Sequence, residues 1–332
     1  MKKIKIAFYD AKPYDIDFFN KANEHYCFQI NYIQSHLTIL TAELAREHDA
    51  VCVFVNDIVT EEIINIFIKF NIKILALRSA GFNNVDLKAS GNKILVVRVP
   101  AYSPYAVAEH TIALLLALNR KIHKAYNRTR EGNFNIDGLM GFDLHGKTFG
   151  VIGTGKIGQL VIKIAIGFGM KVLAYDIFPN KELESIGFKY TSLDDLYKNA
   201  DIISLNCPLT KETHHLINDD SISKMKNGVI IINTGRGKLI HTRSLIQGLK
   251  SKKIGSAGLD VYEEEGDYFF EDFSNKILLD DNLTRLLSFN NVILTSHQAF
   301  FTQEAMTQIA SVTLKNLSDY FSGNENTNKI TI

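Results

Sequence analysis

The 332-residue chain is predicted to adopt an α/β fold with two domains. Short runs of β-branched and apolar residues alternate with segments of helical period along almost the whole sequence. Several of these runs are apolar at nearly every position, which is typical of parallel strands covered by helices on both faces. At roughly 150 residues per domain, the length favours two domains.

Nine of the apolar runs are predicted to be strands, and the segments between them to be helices. Residues 60–68 illustrate the helices, because Glu61 and Glu62 stand in the first turn of an apolar-periodic segment. The predicted strands cover residues 4–9, 50–55, 73–77, 94–97, 148–152, 171–175, 201–205, 229–233 and 292–294.

Two longer helices are predicted from apolar residues at three- or four-residue spacing. One begins at Pro104 and continues to Tyr126, long enough to connect domains or contact another subunit. The other covers residues 306–321 and is expected to return to the first domain. The polar tail at residues 323–329 is expected to fray.

Composition excludes several classes of protein. Lys and Arg number 37 and Asp and Glu 36, for a net charge of +1, so nothing favours nucleic acid or an anionic membrane as a partner. The longest apolar run, residues 112–118, is too short to span a membrane. Cys27, Cys52 and Cys207 form no CxxC pair and no disulfide framework, which suits a reducing compartment. The expectation is a soluble, cytoplasmic protein without a metal.

A glycine-rich motif stands in the middle of the chain. Gly153, Gly155 and Gly158 follow a predicted strand and open a predicted helix at residues 159–168. In a dinucleotide-binding turn, these three glycines permit the tight turn, the approach of a pyrophosphate and close packing of helix on strand. The spacing alone is weak evidence, because many tight turns share it.

The residue that strengthens this interpretation is Asp176. It ends the next predicted strand, near the distance of about 20 residues at which an acid is expected to bind the ribose hydroxyls. A carboxylate there repels a 2′-phosphate. The sequence therefore predicts NAD and not NADP as the cofactor.

The position of the motif indicates how the domains are arranged. Because about 150 residues precede it, the cofactor domain is central and the first part of the chain forms another unit. We predict a discontinuous substrate domain, residues 1–101 plus 299–332, and an NAD-binding domain, residues 102–298. The cleft between them is the expected site.

Arg236 follows the predicted strand at residues 229–233 and is flanked by glycines. The carboxyl ends of parallel strands meet the ligand crevice, so Arg236 should face the cofactor. Its guanidinium could bind a carboxylate through two parallel hydrogen bonds. The alternative is an ordinary surface arginine.

Two further polar segments end strands in the same half of the chain. Asp260 is followed by Glu263, Glu264 and Glu265, and two of these three glutamates are expected to lie in a solvated loop. His297 follows the last predicted strand. A lone histidine is more often structural, but reduction of a carbonyl needs a proton donor.

Together, in this order, these motifs resemble the D-isomer-specific 2-hydroxyacid dehydrogenase family, most closely its bacterial D-lactate dehydrogenases. The similarity extends over nearly the whole chain, and the motifs are specific as a set although none is specific alone. Further matching segments are residues 80–86, 99–104, 108–110, 119–123, 206–210 and 269–272.

The resemblance implies a flavodoxin-like substrate domain and a Rossmann NAD domain, both doubly wound parallel sheets. It implies reversible hydride transfer between NADH and pyruvate, giving D-lactate. Arg236 would bind and polarise the substrate, His297 would be the acid/base, and Glu265 its carboxylate partner. Glu265 is selected because it stands five positions after Asp260.

The resemblance also places Asp260 near the nicotinamide, Cys207 and Pro208 in the cofactor groove, and the backbone at Ala80 and Gly81 on the substrate carboxylate. Gly235 departs from the serine that relatives often carry, which should alter a cofactor-side contact only. The cofactor-binding candidates are Gly153, Gly155, Lys156, Ile157, Gly158, Asp176, Cys207, Pro208, Thr213, Thr234, Gly235 and Asp260. The substrate-binding candidates are Ala80, Gly81, Tyr102, Arg236, His297 and Phe300.

Tyr102 and Phe300 are expected to wall the methyl end of a small substrate, although aromatic residues more often fill a core. Two other functions stay open: a related dehydrogenase for a bulkier 2-keto acid, and a non-catalytic NAD(H)-sensing protein on the same fold. The expected partners are a small-molecule substrate and further copies of the chain, as a homodimer or homotetramer.

Overall fold

The computed structural model describes residues 3–91 and 93–330. The chain divides into two compact units, Met1–Ser103 with Phe301–Ile332, and Pro104–Phe300. The chain passes from one unit to the other after Ser103 and again after Phe300, in each case two residues later than the sequence predicted. Among the described residues, no helix combines the length and apolar character that crossing a membrane requires.

The elements of the two units follow one another along the chain. Up to residue 103 they are β1 (Lys5–Phe8), α1 (Pro13–Asn23), β2 (Gln29–Tyr32), β3 (Ala50–Val53), α2 (Glu61–Lys69), β4 (Ile74–Leu77), α3 (Leu87–Ser90) and β5 (Leu95–Arg98). From residue 104 they are α4 (Pro104–Arg120), α5 (Ile122–Arg130), β6 (Thr148–Ile152), α6 (Lys156–Gly167), β7 (Lys171–Tyr175), β8 (Lys189–Tyr190), α7 (Leu193–Asn199), β9 (Ile202–Leu205), α8 (Asp219–Lys224), β10 (Val229–Asn233), α9 (Thr242–Lys250), β11 (Ile254–Leu259), α10 (Asp281–Leu287), β12 (Val292–Leu294) and α11 (Gln303–Phe321).

The first unit is built on a parallel sheet with strand order β2-β1-β3-β4-β5. All residues of β3 and β4 are buried, as their apolar sequences predicted. The edge strand β2 escaped prediction, because it alternates exposed and half-buried residues and has two polar side chains among four. Helix α11 packs against α1 and β4 of this unit.

The tail after α11 corrects an expectation. Residues 323–329 do not fray: Asn326 is buried, and its side-chain amide donates to the Asn316 carbonyl (2.8 Å). The Asn328 carbonyl accepts from the N–H of Arg98 at the end of β5 (3.2 Å). Asn326 and Asn328 therefore attach this tail to the protein, while Asn324, Glu325, Thr327 and Lys329 are exposed, as their polarity predicted.

The second unit is a seven-stranded parallel sheet with strand order β12-β11-β10-β9-β6-β7-β8. The chain order reverses between β6 and β9, which is the switch point of a doubly wound sheet. The prediction of two α/β domains with parallel sheets is confirmed. Strand β8, two residues at the sheet edge, was missed.

The prediction of one long helix from Pro104 to Tyr126 is wrong in one respect, because the structure has two helices there, α4 and α5. Lys121 separates α4 from α5 with φ of +51°, in the left-handed region. Its ammonium donates to the carbonyls of Gly138 (2.8 Å) and Met140 (3.0 Å). The apolar spacing continues across the break, so the sequence pattern gave no sign of it.

Candidate active site

The glycine turn lies between β6 and α6. Gly153 has φ of +95°, and a Cβ there would lie 2.6 Å from the Cys207 nitrogen. A Cβ on Gly158 would lie 2.0 Å from the Gly153 carbonyl oxygen. Both positions require glycine, because the turn, the helix and the loop after β9 approach one another too closely for a side chain.

The second glycine of the motif has a different environment. A Cβ on Gly155 would meet no atom of the described residues within 4 Å, its two chain neighbours left aside. Gly155 is also the N-cap of α6, and glycine has no side chain with which to cap this helix end. Lys156 and Ile157 form the first turn, where N–H groups have no partner within the helix. These features fit the pyrophosphate of a dinucleotide.

Asp176 lies beside this turn, directly after β7. One carboxylate oxygen accepts from the N–H (2.7 Å) and hydroxyl (2.9 Å) of Thr154, and the other from the Phe178 N–H (3.0 Å). Partial burial acts to raise the pKa of Asp176, but these hydrogen bonds outweigh it and the pKa lies below its usual value. The site therefore presents a carboxylate anion where the ribose is expected.

Cys207 and Pro208 follow β9. In the sheet, β9 and β7 lie on opposite sides of β6, so these two residues and Asp176 flank the glycine turn. Burial raises the pKa of the Cys207 thiol to about 11, so at neutral pH this side chain is a neutral wall and not a nucleophile. The Thr213 hydroxyl donates to the Pro208 carbonyl (2.7 Å) and holds this loop in shape.

Thr234 and Gly235 follow β10. The Thr234 hydroxyl is buried against the hydroxyl of Thr111 on α4 (2.8 Å). The Gly235 N–H donates to the Asn233 side chain (3.0 Å), and a Cβ on Gly235 would lie 3.2 Å from a Leu239 methyl. The small residue at position 235 thus suits a tightly folded loop.

Arg236 is half-buried in the same loop, and its guanidinium donates to the Gly235 carbonyl (2.8 Å). The Asn233 amide donates to the Arg236 carbonyl (2.9 Å). A Cβ on the next residue, Gly237, would lie 1.9 Å from the Tyr262 carbonyl oxygen. The arginine loop is therefore packed directly on the segment that follows β11.

Asp260 is fully buried at the end of β11 and binds the loop that carries His297. Its carboxylate accepts from the N–H groups of Gln298 (2.9 Å) and Ala299 (2.8 Å) and from the Thr295 hydroxyl (2.5 Å). Its own carbonyl accepts from the His297 N–H (2.7 Å). These contacts hold His297 at a φ of +53°. The contacts described here therefore give Asp260 a structural role in holding the His297 loop. Its expected place near the nicotinamide stays a prediction.

His297 and Glu265 are in direct contact. Nδ1 of His297 lies 2.8 Å from one oxygen of Glu265, and the other oxygen accepts from the Tyr262 N–H (2.8 Å). An ionised carboxylate can only accept, so in this contact Nδ1 carries the proton, and Nε2 is the ring nitrogen that this contact does not use. The Phe270 ring lies 6.0 Å from the imidazole.

The strand order explains how these side chains come together. Arg236, Glu265 and His297 stand on the loops after β10, β11 and β12, which are neighbours in one parallel sheet. Their carboxyl ends therefore open on the same edge. A cation, a carboxylate and an imidazole arranged there can orient an acid, polarise a carbonyl and donate a proton.

Glu263 corrects the expectation that two of the three adjacent glutamates are solvated. Glu264 is exposed, but Glu263 is partly buried, and one oxygen accepts from the N–H (3.0 Å) and hydroxyl (2.8 Å) of Thr242. The other oxygen lies 2.5 Å from Nε2 of His215. The sequence contains no signal for these contacts, since a run of acids is usually a solvated surface.

The remaining substrate-binding candidates divide between the units. Ala80 and Gly81 follow β4 in the first unit, where the Arg98 guanidinium donates to the Ala80 carbonyl (2.7 Å) and the Ser79 hydroxyl to the Gly81 carbonyl (2.8 Å). Tyr102, after β5, is half-buried. Phe300, at the end of the second unit, is 7% exposed.

The chain is similar to known proteins over nearly its whole length. A family model described as D-isomer specific 2-hydroxyacid dehydrogenase, NAD binding domain, matches residues 112–299. The 2-hydroxyacid dehydrogenase homolog 1 of Schizosaccharomyces pombe is 52% identical over 97% of each chain. The D-lactate dehydrogenase of Escherichia coli is 49% identical over 96% of this chain and 98% of its own.

A solved structure of the pyruvate reductase of Chlamydomonas reinhardtii superposes with a TM-score of 0.93, at 42% identity over 98% of each chain. Both domains and the motifs at their strand ends are thus covered by the match. The chain belongs to the D-isomer specific 2-hydroxyacid dehydrogenase family and is an NAD-dependent oxidoreductase that acts on D-2-hydroxy acids.

Proposed function

We propose that this protein is a D-lactate dehydrogenase that reversibly reduces pyruvate with NADH. The observation that carries the proposal is the His297–Glu265 pair, which lies at the sheet edge beside the Arg236 loop. The names of two of the relatives above, a D-lactate dehydrogenase and a pyruvate reductase, support pyruvate as the substrate.

The chain's own residues divide the work between binding and proton transfer. NADH, when bound, supplies the hydride. The Arg236 guanidinium orients the 2-keto acid and stabilises the negative charge that develops on its carbonyl oxygen. His297 donates its Nε2 proton to that oxygen, and the Glu265 carboxylate favours the protonated ring.

The cofactor would be held by the glycine turn, with its pyrophosphate at the first turn of α6 and its ribose on Asp176. Cys207, Pro208, Thr213, Thr234 and Gly235 would line the groove. The Ala80 and Gly81 backbone would bind the substrate carboxylate. Asp260 would stand near the nicotinamide while its carboxylate holds the His297 loop.

The test is the loss of NADH absorbance with a panel of pyruvate, phenylpyruvate, 2-ketoisocaproate and hydroxypyruvate. We expect the highest kcat/KM for pyruvate and D-lactate as the product. A higher value for a bulkier acid would indicate the related dehydrogenase. NADH binding without turnover of any acid would indicate the sensor.

The proposed walls of the substrate site are tested on the same panel. Tyr102→Ala and Phe300→Ala should each raise the ratio of phenylpyruvate to pyruvate kcat/KM, because a tight apolar wall discriminates by about 1–3 kcal/mol per methylene. If both variants keep the original ratio and only lose thermal stability, the rings are packing residues.

We further propose a homodimer or homotetramer in the cytoplasm, with a small molecule and no nucleic acid or membrane as partner. Support for an oligomer comes from apolar side chains that the second unit exposes on α5 and the segment after it. They are Ile122, Tyr126, Phe134, Ile136 and Met140, each 58–88% exposed.

A further inference from the structure

Glu263 joins three segments of the second unit that are distant in sequence. Its carboxylate accepts from both the N–H and the hydroxyl of Thr242, the first residue of α9, and contacts His215 in the loop after β9. Partial burial acts to raise the pKa of Glu263, but these hydrogen bonds outweigh it and the pKa lies below its usual value. Glu263 is therefore an anion at neutral pH.

The position of Glu263 places these contacts next to the reacting groups. The residue before it, Tyr262, donates its N–H to Glu265, which in turn contacts His297. The Tyr262 carbonyl and Glu263 nitrogen also form the surface on which Gly237 packs. Residues 262 and 263 thus contact both the Arg236 loop and Glu265, and Glu263 belongs to this shared segment.

His215 is held in place from several directions. Its N–H donates to the Lys238 carbonyl in the arginine loop (2.8 Å), and its φ of +52° lies in the left-handed region. Two titratable rings face it, His214 at 3.8 Å and His241 at 4.9 Å between centroids. A residue kept in such a conformation by its surroundings often serves a site.

A role in capping α9 alone does not account for this arrangement. Accepting from the Thr242 N–H satisfies the helix end through one carboxylate oxygen. The other oxygen is directed to His215, in the loop that also carries Cys207 and Pro208. This second contact couples the Glu265 segment to the loop after β9 and, through Lys238, to Arg236.

We propose that Glu263 and His215 form a positioning pair, which holds the segment after β11 so that Glu265 keeps its contact with His297 beside Arg236. The inference rests on the proposed roles of those three residues. Removing the Glu263 charge should let the segment relax, weaken the contact between Glu265 and His297, and disfavour the protonated His297 ring.

The experiment compares Glu263→Gln and His215→Gln with Glu264→Gln, the same change at the exposed neighbouring position. The His297 ring is followed by NMR as a function of pH in the cofactor-free protein, with its signal assigned from His297→Asn. We expect the ring to lose its proton at lower pH in the first two variants, and the control to behave like the unmodified protein.

Kinetics supply the second measurement. In Glu263→Gln and His215→Gln, the pH at which kcat/KM for keto-acid reduction declines should fall as well. If both variants lower only the Tm and leave the His297 midpoint unchanged, the pair is structural and the inference is wrong. A shifted midpoint in a chain that does not reduce pyruvate would instead overturn the proposed substrate.

Discussion

Arg236 can be distinguished from a simple positive charge. Lysine keeps the charge but loses the planar fork, so Arg236→Lys should raise KM for pyruvate and lower kcat. Two hydrogen bonds to a charged group, at ~1.5–3 kcal/mol each, imply a loss in kcat/KM of about tenfold or far more. The exposed Arg243 on α9 provides the control, Arg243→Lys. Near-normal kinetics for Arg236→Lys would show that this arginine is structural.

The partnership of Glu265 with His297 has a directional pH signature. Glu265→Gln keeps the shape of the side chain and removes the anion that favours the imidazolium. Pyruvate reduction, which needs the protonated ring, should then decline at lower pH than in the unmodified protein. Lactate oxidation, which needs the neutral ring, should keep or gain relative activity toward acid pH.

Profiles of kcat/KM against pH in both directions measure this effect. Glu264→Gln, one residue away and exposed, should leave both profiles in place. An unshifted histidine limb in Glu265→Gln would refute the functional pairing despite the 2.8 Å contact.

Within the glycine turn between β6 and α6, Gly155 is expected to serve cofactor binding and Gly158 to serve stability. Gly155→Ala points a methyl group into open space, so the Tm should change little while the Kd for NADH rises. Gly158→Ala places its methyl 2.0 Å from the Gly153 carbonyl oxygen, which should cost about 1–3 kcal/mol of stability through the shift it forces. Thermal denaturation and NADH titration of both variants check this, and a stable Gly158→Ala that binds normally would contradict it.

The end of β7 is expected to select the cofactor. The Asp176 carboxylate, an anion beside the turn, attracts the ribose hydroxyls and repels a 2′-phosphate. NADH should therefore show a much higher kcat/KM than NADPH, and Asp176→Ser should narrow the difference. Comparable values for the two cofactors in the unmodified protein would contradict this role.

At the scale of the whole molecule, the exposed apolar residues after α4 are expected to be covered by another copy of the chain. Phe134 and Met140 are 77% and 88% exposed, so Phe134→Asp with Met140→Asp should shift sedimentation toward the monomer. Phe178, 84% exposed elsewhere on the second unit, provides the control Phe178→Asp. If the unmodified chain already sediments as a monomer, the proposal of a homo-oligomer is wrong.

The strands were predictable from the sequence where their burial in the sheet requires apolar residues. Strands β6, β7 and β10 have the predicted bounds, because a parallel strand covered on both faces must be apolar at nearly every position. Strands β2 and β8 lie at sheet edges, where this requirement lapses. The break at Lys121, whose ammonium donates to the carbonyls of residues 138 and 140, is not revealed by the local apolar spacing.

The α/β class, the glycine turn with its acid, and the polar residues after three strands were all predicted from the amino-acid sequence. These follow from local rules, since backbone conformation, strand burial and the geometry of parallel sheets restrict which residues can stand at such positions. The candidate site was therefore visible as a set of residues before any contact was known.

The contacts of these polar groups depend on the three-dimensional arrangement of the chain. The resemblance to the family implied that Glu265 is the partner of His297, and the structure shows the two side chains in contact. The contacts of Asp260 with the His297 loop, and those of Glu263 with residues 21 and 48 positions away, are visible in the structure alone. The physical reason is that a hydrogen bond depends on the spatial arrangement of loops, and that arrangement is set by the packing of the whole sheet. No local pattern distinguishes Glu263 from the exposed Glu264 beside it.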